Sequence, residues 1–538
     1  MSWFDICRQP DRVDVLTETA HVNLTRRGEL WEGHGVAAET QLINHRLRVR
    51  VIAPQTPLRR LTLRWRGTFP ARLRVLGDHW ERAYGDLEWR GLAPDRILPW
   101  YCLTHDGECT HGYGVTTDTA ALAWWQLDGQ GLTLHLDIGS GTAGVHLGSR
   151  ELTVATVTSR QGKPGESAFA AAGAFCRELC AHPLLPREPV YGGNDWYYAY
   201  GANTHAGIIE DAKRLAGWTA GLANRPYSVI DAGWALNGFF YGGPWHTGNS
   251  RFPDMPGLAA TLKSLGVRPG LWIRPLLTAE NDLSACASPL ARFERSGKRR
   301  YLGYFLDPSH PQVLEHVAAS IRRITGWGYE LIKHDFTSYD IFGRWGFDLM
   351  AELTLGGFEH GGAASVAWSF ADRSLTTAEV IRQLYRTLRE AAGDALVIGC
   401  NTLNHLAAGQ CHLQRSGDDT SGRDWERTRK MGVNALAFRL PQHHAFFAVD
   451  ADCVPVTPQV AWPVTRQWLD LVAGSGTPLF VSADAKALTP ERETALSDAL
   501  RQAALAQPPA EPLDWLDTSC PSHWRIRQQD RQFDWITQ

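Results

Sequence analysis

The chain has 538 residues, enough for two or three domains, and its formal net charge at pH 7 is −3. A charge so close to balance gives no reason to expect nucleic acid or an anionic membrane surface as a partner. The 22 Trp, against 4 Met, offer flat apolar faces for stacking on a ligand, although many of them must be core residues.

The first residues, from Met1 to Arg8, lack a basic start followed by an apolar run, so we expect no secretion signal. No window approaches the roughly 18 apolar residues that a membrane-spanning helix needs. The 10 Cys are scattered and mostly lie in apolar segments, which indicates reduced thiols in a cytoplasmic protein. Neither His412 nor His443–His444 has neighbours with metal-site spacing, so the sequence predicts no metal and no cofactor.

Residues 1–187 are predicted to form an N-terminal β-sandwich domain. Short segments such as Leu47–Ile52, Leu61–Trp65 and Leu132–Ile138 alternate apolar and polar residues, and turns rich in Gly, Asp and Pro separate them. Helical windows are few. The Pro-rich stretch Pro183–Pro189 is a plausible linker to the next domain.

Residues 188–487 alternate predicted strands with helices. The strands are 190–196, 227–231, 269–274, 329–335, 395–401, 410–415, 445–449 and 478–481. The helical windows are 208–215, 258–265, 311–324, 377–391 and 425–434. Eight such strands are typical of a (β/α)8 TIM barrel. An open doubly wound sheet is the rival, but no Gly-x-Gly-x-x-Gly follows the first strand. Residues 488–538 are predicted to form a helix, 490–506, and a small C-terminal β domain, which makes the whole chain a multidomain α/β protein.

Charged side chains gather where the barrel strands end, which is where barrel enzymes build their active sites. Strand by strand these residues are Asp195 and Trp196, Asp231, Arg274, Lys333 to Asp335, Cys400, Arg415 to Asp419, Asp450 and Asp452, and Asp484. Because buried like charges are costly, a rim so rich in Asp indicates chemistry. The alternative is that some of them, Asp484 above all, only cap the following helices.

Lys333 and Asp335 are two residues apart in a predicted strand and would point to the same face. A neighbouring ammonium lowers a carboxyl pKa, which suits a nucleophile, although the pair could also be a simple ion pair at a strand end. A second Asp across a pocket with Trp and basic neighbours fits glycoside hydrolysis, in which one carboxylate attacks the anomeric carbon and the other acts as acid and base.

Six segments in chain order resemble the retaining α-galactosidases (melibiases) of glycoside hydrolase family 36, whose clan includes family 27. The segments are Gly192–Tyr197, similar to Gly-Trp-Asn-Ser-Trp-Tyr; Tyr227–Trp234, similar to an Asp-Asp-Gly-Trp strand; Phe252–Pro275, similar to Phe-Pro-x-Gly-Leu and Gly-x-Trp-x-x-Pro; Tyr329–Asp335, similar to the Lys-Trp-Asp nucleophile strand; Gly399–Thr420, similar to the stretch with Arg-Ile-Gly-Pro-Asp; and Asp450–Asp452, similar to Asp-Pro-Asp. The resemblance covers the predicted barrel and its flanks.

The resemblance implies Asp335 as nucleophile and Asp419 as acid/base in an exo-acting hydrolase of oligosaccharides or glycosides. Asp418 competes with Asp419, which alone keeps the family's spacing to Arg415. The resemblance also implies a set of pocket residues: Trp196, Asp231, Trp272, Lys333, Cys400 and Arg415. Family members often assemble, so a homo-oligomer is possible.

Three residues depart from the family pattern. Ala232 replaces a carboxylate that grips the sugar, including its axial 4-OH, which puts the identity of the sugar in doubt. Arg274, on the same strand face as Trp272, could bind an anionic group of the substrate or form a salt bridge to a rim Asp. His334 replaces an aromatic residue next to the nucleophile.

We expect Lys333 and Arg415 to keep Asp335 ionised, and Asp419, in a less cationic place, to keep its proton near neutral pH. A transglycosidase of the same family, similar to raffinose synthase, would share these motifs. An inactive sugar-binding protein is a second rival to the hydrolase, and a metal-dependent enzyme in which Asp450 and Asp452 ligate Mg²⁺ is a third.

Overall fold

The computed structural model describes residues 3–70, 72–236, 243–288, 303–346 and 368–536. The strands of its N-terminal part are β1 (Arg12–Thr17), β2 (His21–Asn23), β3 (Thr25–Arg27), β4 (Leu30–Gly33), β5 (Val36–Ile43), β6 (Arg46–Ile52), β7 (Leu58–Arg66), β8 (Arg74–Gly77), β9 (Arg90–Gly91), β10 (Leu98–Pro99), β11 (Tyr101–His105), β12 (Thr110–Val115), β13 (Leu122–Asp128), β14 (Gly131–Asp137) and β15 (Leu152–Arg160).

These strands form two antiparallel sheets. The first has the order β10-β13-β14-β7-β1-β2, and the second β3-β4-β5-β6-β15-β12-β11-β8-β9. The predicted alternation is visible in β6, where Leu47, Val49 and Val51 are buried and the arginines between them are half-buried. One face of such a strand therefore packs into the core, which is what a period of two residues dictates.

The central part contains a third sheet whose strand pairs are parallel. Its strands are β16 (Tyr191–Asn194), β17 (Tyr227–Ile230), β18 (Arg268–Ile273), β21 (Leu331–His334), β22 (Leu396–Gly399), β23 (Leu413–Arg415), β24 (Ala448–Asp450), β25 (Cys453–Val456) and β26 (Leu479–Ala483), and a separate small hairpin-like sheet pairs β19 (Leu277–Thr278) with β20 (Tyr304–Phe305). The order is β24-β23-β22-β21-β18-β17-β16-β26-β25. Strands such as β17 and β21 are buried throughout, as expected of parallel strands covered on both faces.

The two ends of this curled sheet come from one stretch of chain. β24 pairs with β23 and β25 pairs with β26, and only Ala451 and Asp452 separate the two strands. Asp452 has φ 68°, in the left-handed region, which interrupts the strand. The prediction of a strand at 445–449 is wrong at its start, because the apolar residues Ala445 and Phe446 lie in a buried turn, which an apolar run alone cannot distinguish from a strand.

Helices follow most of the parallel strands. The described α-helices are Ala168–Leu179, Trp196–Ala199, His205–Trp218, Met255–Ser264, Pro311–Gly326, Thr337–Phe342, Thr377–Ala392, Asn404–Ala407, Trp425–Thr428, Ala435–Arg439, Trp462–Gly474 and Pro490–Ala503. Several begin at a side-chain cap: Thr204 and Asp254 accept backbone N–H groups, and Thr376 forms a capping box with Glu379. None of the described helices has both the length and the apolar composition needed to cross a membrane.

The C-terminal residues form a small antiparallel sheet of β27 (Glu511–Pro512), β28 (His523–Ile526) and β29 (Gln529–Gln532). The helix Pro490–Ala503 packs against Trp462–Gly474 and His205–Trp218 in the layer around the parallel sheet. Arg501 donates from Nη2 to the carbonyl of Ala220 at 2.9 Å. This helix therefore joins the C-terminal sheet to the central part.

Residues 78–84, which we call the rim segment, follow β8 and lie against the carboxyl ends of the parallel strands. Ala83 forms a parallel bridge with Gly417, with backbone hydrogen bonds of 2.9 Å to Ser416 and 2.8 Å from Asp418. One segment of the N-terminal part of the chain therefore lies at the end of the parallel sheet where the charged side chains gather.

Candidate active site

Asp335 directly follows β21 and is held by two neutral donors. The next residue, Phe336, has φ 61°, so the chain turns away from the strand direction immediately after Asp335. The N–H of Phe336 donates to Oδ1 at 2.7 Å, and Nε1 of Trp272 donates to Oδ2 at 3.1 Å. The carboxylate is therefore fixed in place while each oxygen retains a lone pair for a reacting atom.

Lys333 pairs with Asp231 rather than with Asp335, which corrects the predicted pair. Its Nζ lies 2.6 Å from Oδ2 of Asp231, and both side chains are buried. The strand pairing continues to Asp335, whose N–H donates to the carbonyl of Ile273 at 3.0 Å, but the long side chain of Lys333 reaches Asp231 instead. Burial works to lower the pKa of Lys333, but its negatively charged neighbours, Asp231 above all, outweigh burial and raise the pKa well above its ordinary value. Lys333 is therefore a fixed positive charge.

Asp195 is a second buried carboxyl group behind Asp231. Its Oδ1 accepts the N–H of Asp231 at 2.7 Å, and its Oδ2 accepts a hydrogen bond from Asn203 at 2.5 Å. Burial, reinforced by the negative charge of Asp231, raises the pKa of Asp195 to about 7. Asn194 donates to Oδ2 of Asp231 at 2.8 Å. The side chains at the ends of β16 and β17 are thus linked through carboxyl groups.

Arg415 joins the end of β23 to the interrupted strand beside it. Its Nη2 lies 2.8 Å from Oδ2 of Asp452 and 3.2 Å from Oδ1 of Asp419. The same oxygen of Asp452 accepts hydrogen bonds from the N–H and Oγ1 of Thr420 at 2.8 and 2.9 Å. Asp452 therefore holds both the arginine beside Asp419 and the residue that follows Asp419.

Asp418 and Asp419 share an arginine from the rim segment. Nη2 of Arg82 lies 3.0 Å from Oδ1 of Asp418, and Nη1 lies 3.3 Å from Oδ1 of Asp419. Asp418 also accepts a hydrogen bond from Arg427 at 2.8 Å. The side chain of Asp418 is 19% exposed and that of Asp419 38%. Asp419 is therefore the more accessible of the two carboxylates.

The charges around Asp419 contradict the expectation of a less cationic place. Burial works to raise its pKa, but Arg415, Arg82 and Lys333 outweigh burial and lower the pKa below its ordinary value. Asp419 is therefore ionised at neutral pH in the unliganded protein. The sequence could not indicate this, because Arg82 lies 337 residues away along the chain.

Cys400 contacts Arg415, the arginine that also holds Asp419. Nη1 of Arg415 lies 3.4 Å from its Sγ. Burial raises the pKa of the Cys400 thiol well above its ordinary value, and the charge of Asp335 adds to this effect while Arg415 and Lys333 oppose it. The thiol is therefore neutral. The contact between Cys400 and Arg415 joins the ends of β22 and β23 in one cluster of side chains.

Arg274 lies outside this cluster. Of the two roles predicted for it, the structure shows the salt bridge, here with Asp340. The side chain is fully buried, with Nη2 2.6 Å and Nε 3.0 Å from the two oxygens of Asp340. Its guanidinium lies 4.1 Å from the centroid of the Phe336 ring, beneath the turn after the nucleophile candidate. The prediction that Arg274 binds substrate is wrong for this side chain, which has no exposed surface.

His334 lies on the opposite face of β21 from Lys333 and is fully buried. Its Nε2 is 3.7 Å from Sγ of Cys411, and burial lowers the pKa of the imidazole to about 3. A neutral imidazole in the layer between sheet and helices has a packing role. His334, which replaces an aromatic residue of the family pattern, therefore does not contribute its side chain to the candidate active site.

Trp196 and Ala232 follow the ends of β16 and β17, where Trp196 remains a predicted part of the pocket wall. Trp196 begins a short helix after its N–H donates to Oδ1 of Asn194 at 2.9 Å, and its ring is half-buried, 5.7 Å from the ring of Tyr200. Ala232 follows Asp231, and its N–H donates to Oδ1 of Asp231 at 2.8 Å. A methyl group therefore stands where the family pattern has a second carboxylate.

Two residues of this site carry roles that the sequence pattern does not reveal. Arg82 lies in a charged run between strands of the N-terminal sheets, and that run gives no sign that it faces the parallel sheet. Asp452 is predicted only as part of a motif or as a metal ligand, whereas it orders Arg415 and Thr420. Among the residues that the structure describes, no three His, Cys, Asp or Glu side chains are grouped so that they could hold a metal ion.

Comparison with known proteins gave no matching family model and no matching curated protein. Solved structures do match. An α-galactosidase from Thermus thermophilus, in complex with p-nitrophenyl α-D-galactopyranoside, has a TM-score of 0.61 and 18% identity, and the match covers 97% of this chain and 99% of that one.

Two structures from Geobacillus stearothermophilus are also similar. A variant of the family 36 α-galactosidase AgaA, in complex with raffinose, has a TM-score of 0.60 and 16% identity over 92% of this chain and 75% of that one. The family 36 α-galactosidase AgaB has a TM-score of 0.60 and 15% identity over the same shares. Across nearly its whole length, this chain has the fold of the family 36 α-galactosidases.

Proposed function

We propose that the chain is a retaining, exo-acting α-glycoside hydrolase of the α-galactosidase type, which works through a covalent glycosyl-aspartate. Asp335 attacks the anomeric carbon while the bond to the leaving oxygen breaks and Asp419 gives that oxygen a proton. Water then attacks the same carbon, Asp419 takes a proton from it, and Asp335 is released. Asp231, Lys333, Trp272, Cys400 and Trp196 surround the sugar.

The observation that carries this proposal is the contrast between the surroundings of Asp335 and those of Asp419. Within the described ranges, Asp335 forms no ion pair and meets only neutral donors, so its negative charge is available to a developing oxocarbenium ion. Asp419 is partly exposed and ionised beside two arginines. A leaving group that covers Asp419 removes water from it and raises its pKa, which loads the proton when substrate is bound.

The fold supports the same proposal. We propose that the curled sheet is a (β/α)8 barrel in which β24 and β25 together are the seventh strand. β24 pairs with β23 on one side, and β25 pairs with β26 on the other. The division into a β-sandwich domain at 1–187, a barrel at 188–487 and a C-terminal β domain at 488–538 remains our proposal. The similar structures carry an aryl α-galactoside in one case and raffinose in the other.

Ala232 makes the sugar itself the open part of this proposal. A charge-assisted hydrogen bond is worth roughly 1.5–3 kcal/mol, so the loss of one acceptor for a galactose hydroxyl weakens the preference for that sugar by about 10- to 100-fold. We therefore propose a hydrolase whose discrimination among α-linked sugars is weaker than, or different from, that of the α-galactosidases.

A panel of aryl glycosides tests both statements. The panel comprises α-galactoside, α-N-acetylgalactosaminide, α-glucoside and β-arabinopyranoside. We expect cleavage of at least one of these glycosides. Proton NMR should show that the sugar is first released with the same anomeric configuration that it has in the substrate. In Ala232→Asp, we expect kcat/KM for the α-galactoside to rise relative to the others, and Ala232→Asn controls for size. Release of the opposite anomer, or no cleavage of any, contradicts the proposal.

A further inference from the structure

The rim segment is held against the central part of the chain by several hydrogen bonds. Asp78 accepts hydrogen bonds from Nε of Arg439 at 2.8 Å and from Gln442 at 3.0 Å. The carbonyl of Trp80 accepts the N–H of Asn404 at 2.9 Å. Together with the bridge between Ala83 and Gly417, these contacts hold the segment at both of its ends.

Glu81 fixes the middle of the rim segment and carries no exposed surface. Its Oε2 accepts a hydrogen bond from Nδ2 of Asn401 at 2.6 Å and one from the hydroxyl of Ser338. Its Oε1 accepts the N–H of Gly346 at 2.7 Å and the hydroxyl of Tyr84. A buried carboxylate with this many donors is rigid, so the next residue has a fixed position over the strand ends.

That next residue is Arg82, and its side chain is buried at the edge of the site. Only 4% of the residue is exposed. One guanidinium nitrogen contacts Asp418 and the other contacts Asp419, so the planar group spans two adjacent carboxylates. Charged and titratable groups from five elements act on Asp419: Arg82 of the rim segment, Arg415 at the end of β23, Lys333 of β21, Arg427 of the helix 425–428 and Tyr197 of the helix 196–199.

We propose that Arg82, supplied by the N-terminal part of the chain, is a positioning residue that sets the orientation and charge state of the acid/base Asp419. The inference rests on the proposed function and extends it, because it makes the N-terminal sheets part of the catalytic site. Arg82 and Arg427 both form ion pairs with Asp418 and hold its side chain in place, so Asp419 is the more accessible carboxylate. It also keeps Asp419 ionised until a leaving group covers it.

The test compares Arg82→Gln, Arg82→Lys and Arg427→Gln with the unaltered protein. Arg427→Gln is the matched control, because it removes a cation that contacts Asp418 directly and acts on Asp419 only from a greater distance, with a smaller effect than Arg82. In Arg82→Gln we expect the alkaline limb of kcat, which reports the substrate complex, to move to higher pH, because a lost positive neighbour raises a carboxyl pKa. We expect kcat for a substrate with a poor leaving group to fall at least about tenfold, with a smaller loss for an activated aryl glycoside.

Arg82→Lys keeps the charge and should restore the position of the pH limb. Thermal unfolding of each variant separates loss of folding from loss of positioning. If Arg82→Gln lowers the unfolding temperature but leaves the pH limb and the leaving-group dependence unchanged, Arg82 is only a structural ion pair and the proposal is overturned. The same holds if Arg427→Gln moves the limb as far as Arg82→Gln.

A measurement without turnover separates this proposal from the proposed function. Infrared titration of the unliganded protein follows the carboxyl band that is absent from Asp419→Asn. We expect this band to titrate at higher pH in Arg82→Gln than in the unaltered protein. If no glycoside is cleaved but the band shifts, the proposed function fails and the coupling of Arg82 to Asp419 stands. An unmoved band overturns the coupling whatever the activity.

Discussion

Asp335 and Asp419 lie at the same end of the parallel sheet, but their surroundings differ in charge. Asp335 is held by an indole N–H and a backbone N–H. Asp419 is held by two arginines, one of which comes from the N-terminal sheets. Neutral donors orient a carboxylate without neutralising it, whereas cations orient it and favour its ionised form. The difference indicates that the two carboxylates have different tasks, and each can be tested by removing its charge.

The largest expected effect is at Asp335. We expect Asp335→Asn to lower kcat by at least about 10⁴-fold for every substrate, because no covalent bond to the sugar can then form. The measurement is steady-state hydrolysis of an aryl α-glycoside, with thermal unfolding to confirm the fold. The matched control is Asp484→Asn at the end of β26, where the side chain only caps a turn by accepting the N–H of Lys486.

For that control we expect nearly unchanged kcat and a nearly unchanged free energy of unfolding, because Asn caps a helical turn about as well as Asp. Activity in Asp335→Asn above a few per cent of the unaltered value contradicts the assignment of the nucleophile.

A smaller effect, dependent on the leaving group, is expected at Asp419. Asp419→Asn should lower kcat/KM by about 10²–10⁴-fold for substrates whose leaving oxygen needs a proton. For an aryl glycoside whose phenol is a strong acid, the first step needs no proton, so kcat/KM should change little while kcat falls with the loss of the base. Rates for a series of phenols measure this dependence.

The neighbouring carboxylate supplies the control for that series. Asp418→Asn should leave the slope of log kcat/KM against phenol pKa close to that of the unaltered protein. If Asp418→Asn steepens this slope and Asp419→Asn does not, Asp418 is the acid/base. The assignment of different catalytic tasks to Asp335 and Asp419 is then contradicted.

The elements of the parallel sheet were well predicted from the sequence, because buried parallel strands are short apolar runs between helices with clear caps. β17, β18 and β21 lie within one or two residues of their predicted bounds. The predicted strand at 445–449 begins three residues before β24 for a local reason, since Ala445 and Phe446 are apolar in a buried turn. Periodicity cannot reveal an interruption such as the one at Asp452.

The site was less predictable than the fold, because its charges are paired across distant segments. Spacing placed Lys333 beside Asp335, but a long side chain reaches whichever carboxylate the folded chain offers, here Asp231. Arg274 is on the predicted strand but is buried against Asp340. The contacts of Arg82 span more than 300 residues of sequence, and no local pattern encodes them.

The most direct test of Asp335 as nucleophile is to trap the sugar on the protein. A fluorinated glycosyl donor with a good leaving group slows the second step more than the first, so the glycosyl-enzyme accumulates. Digestion and mass spectrometry should then find the added sugar on the peptide that contains Asp335. A sugar on any other side chain, or no label under conditions in which the same protein hydrolyses the parent glycoside, would contradict it.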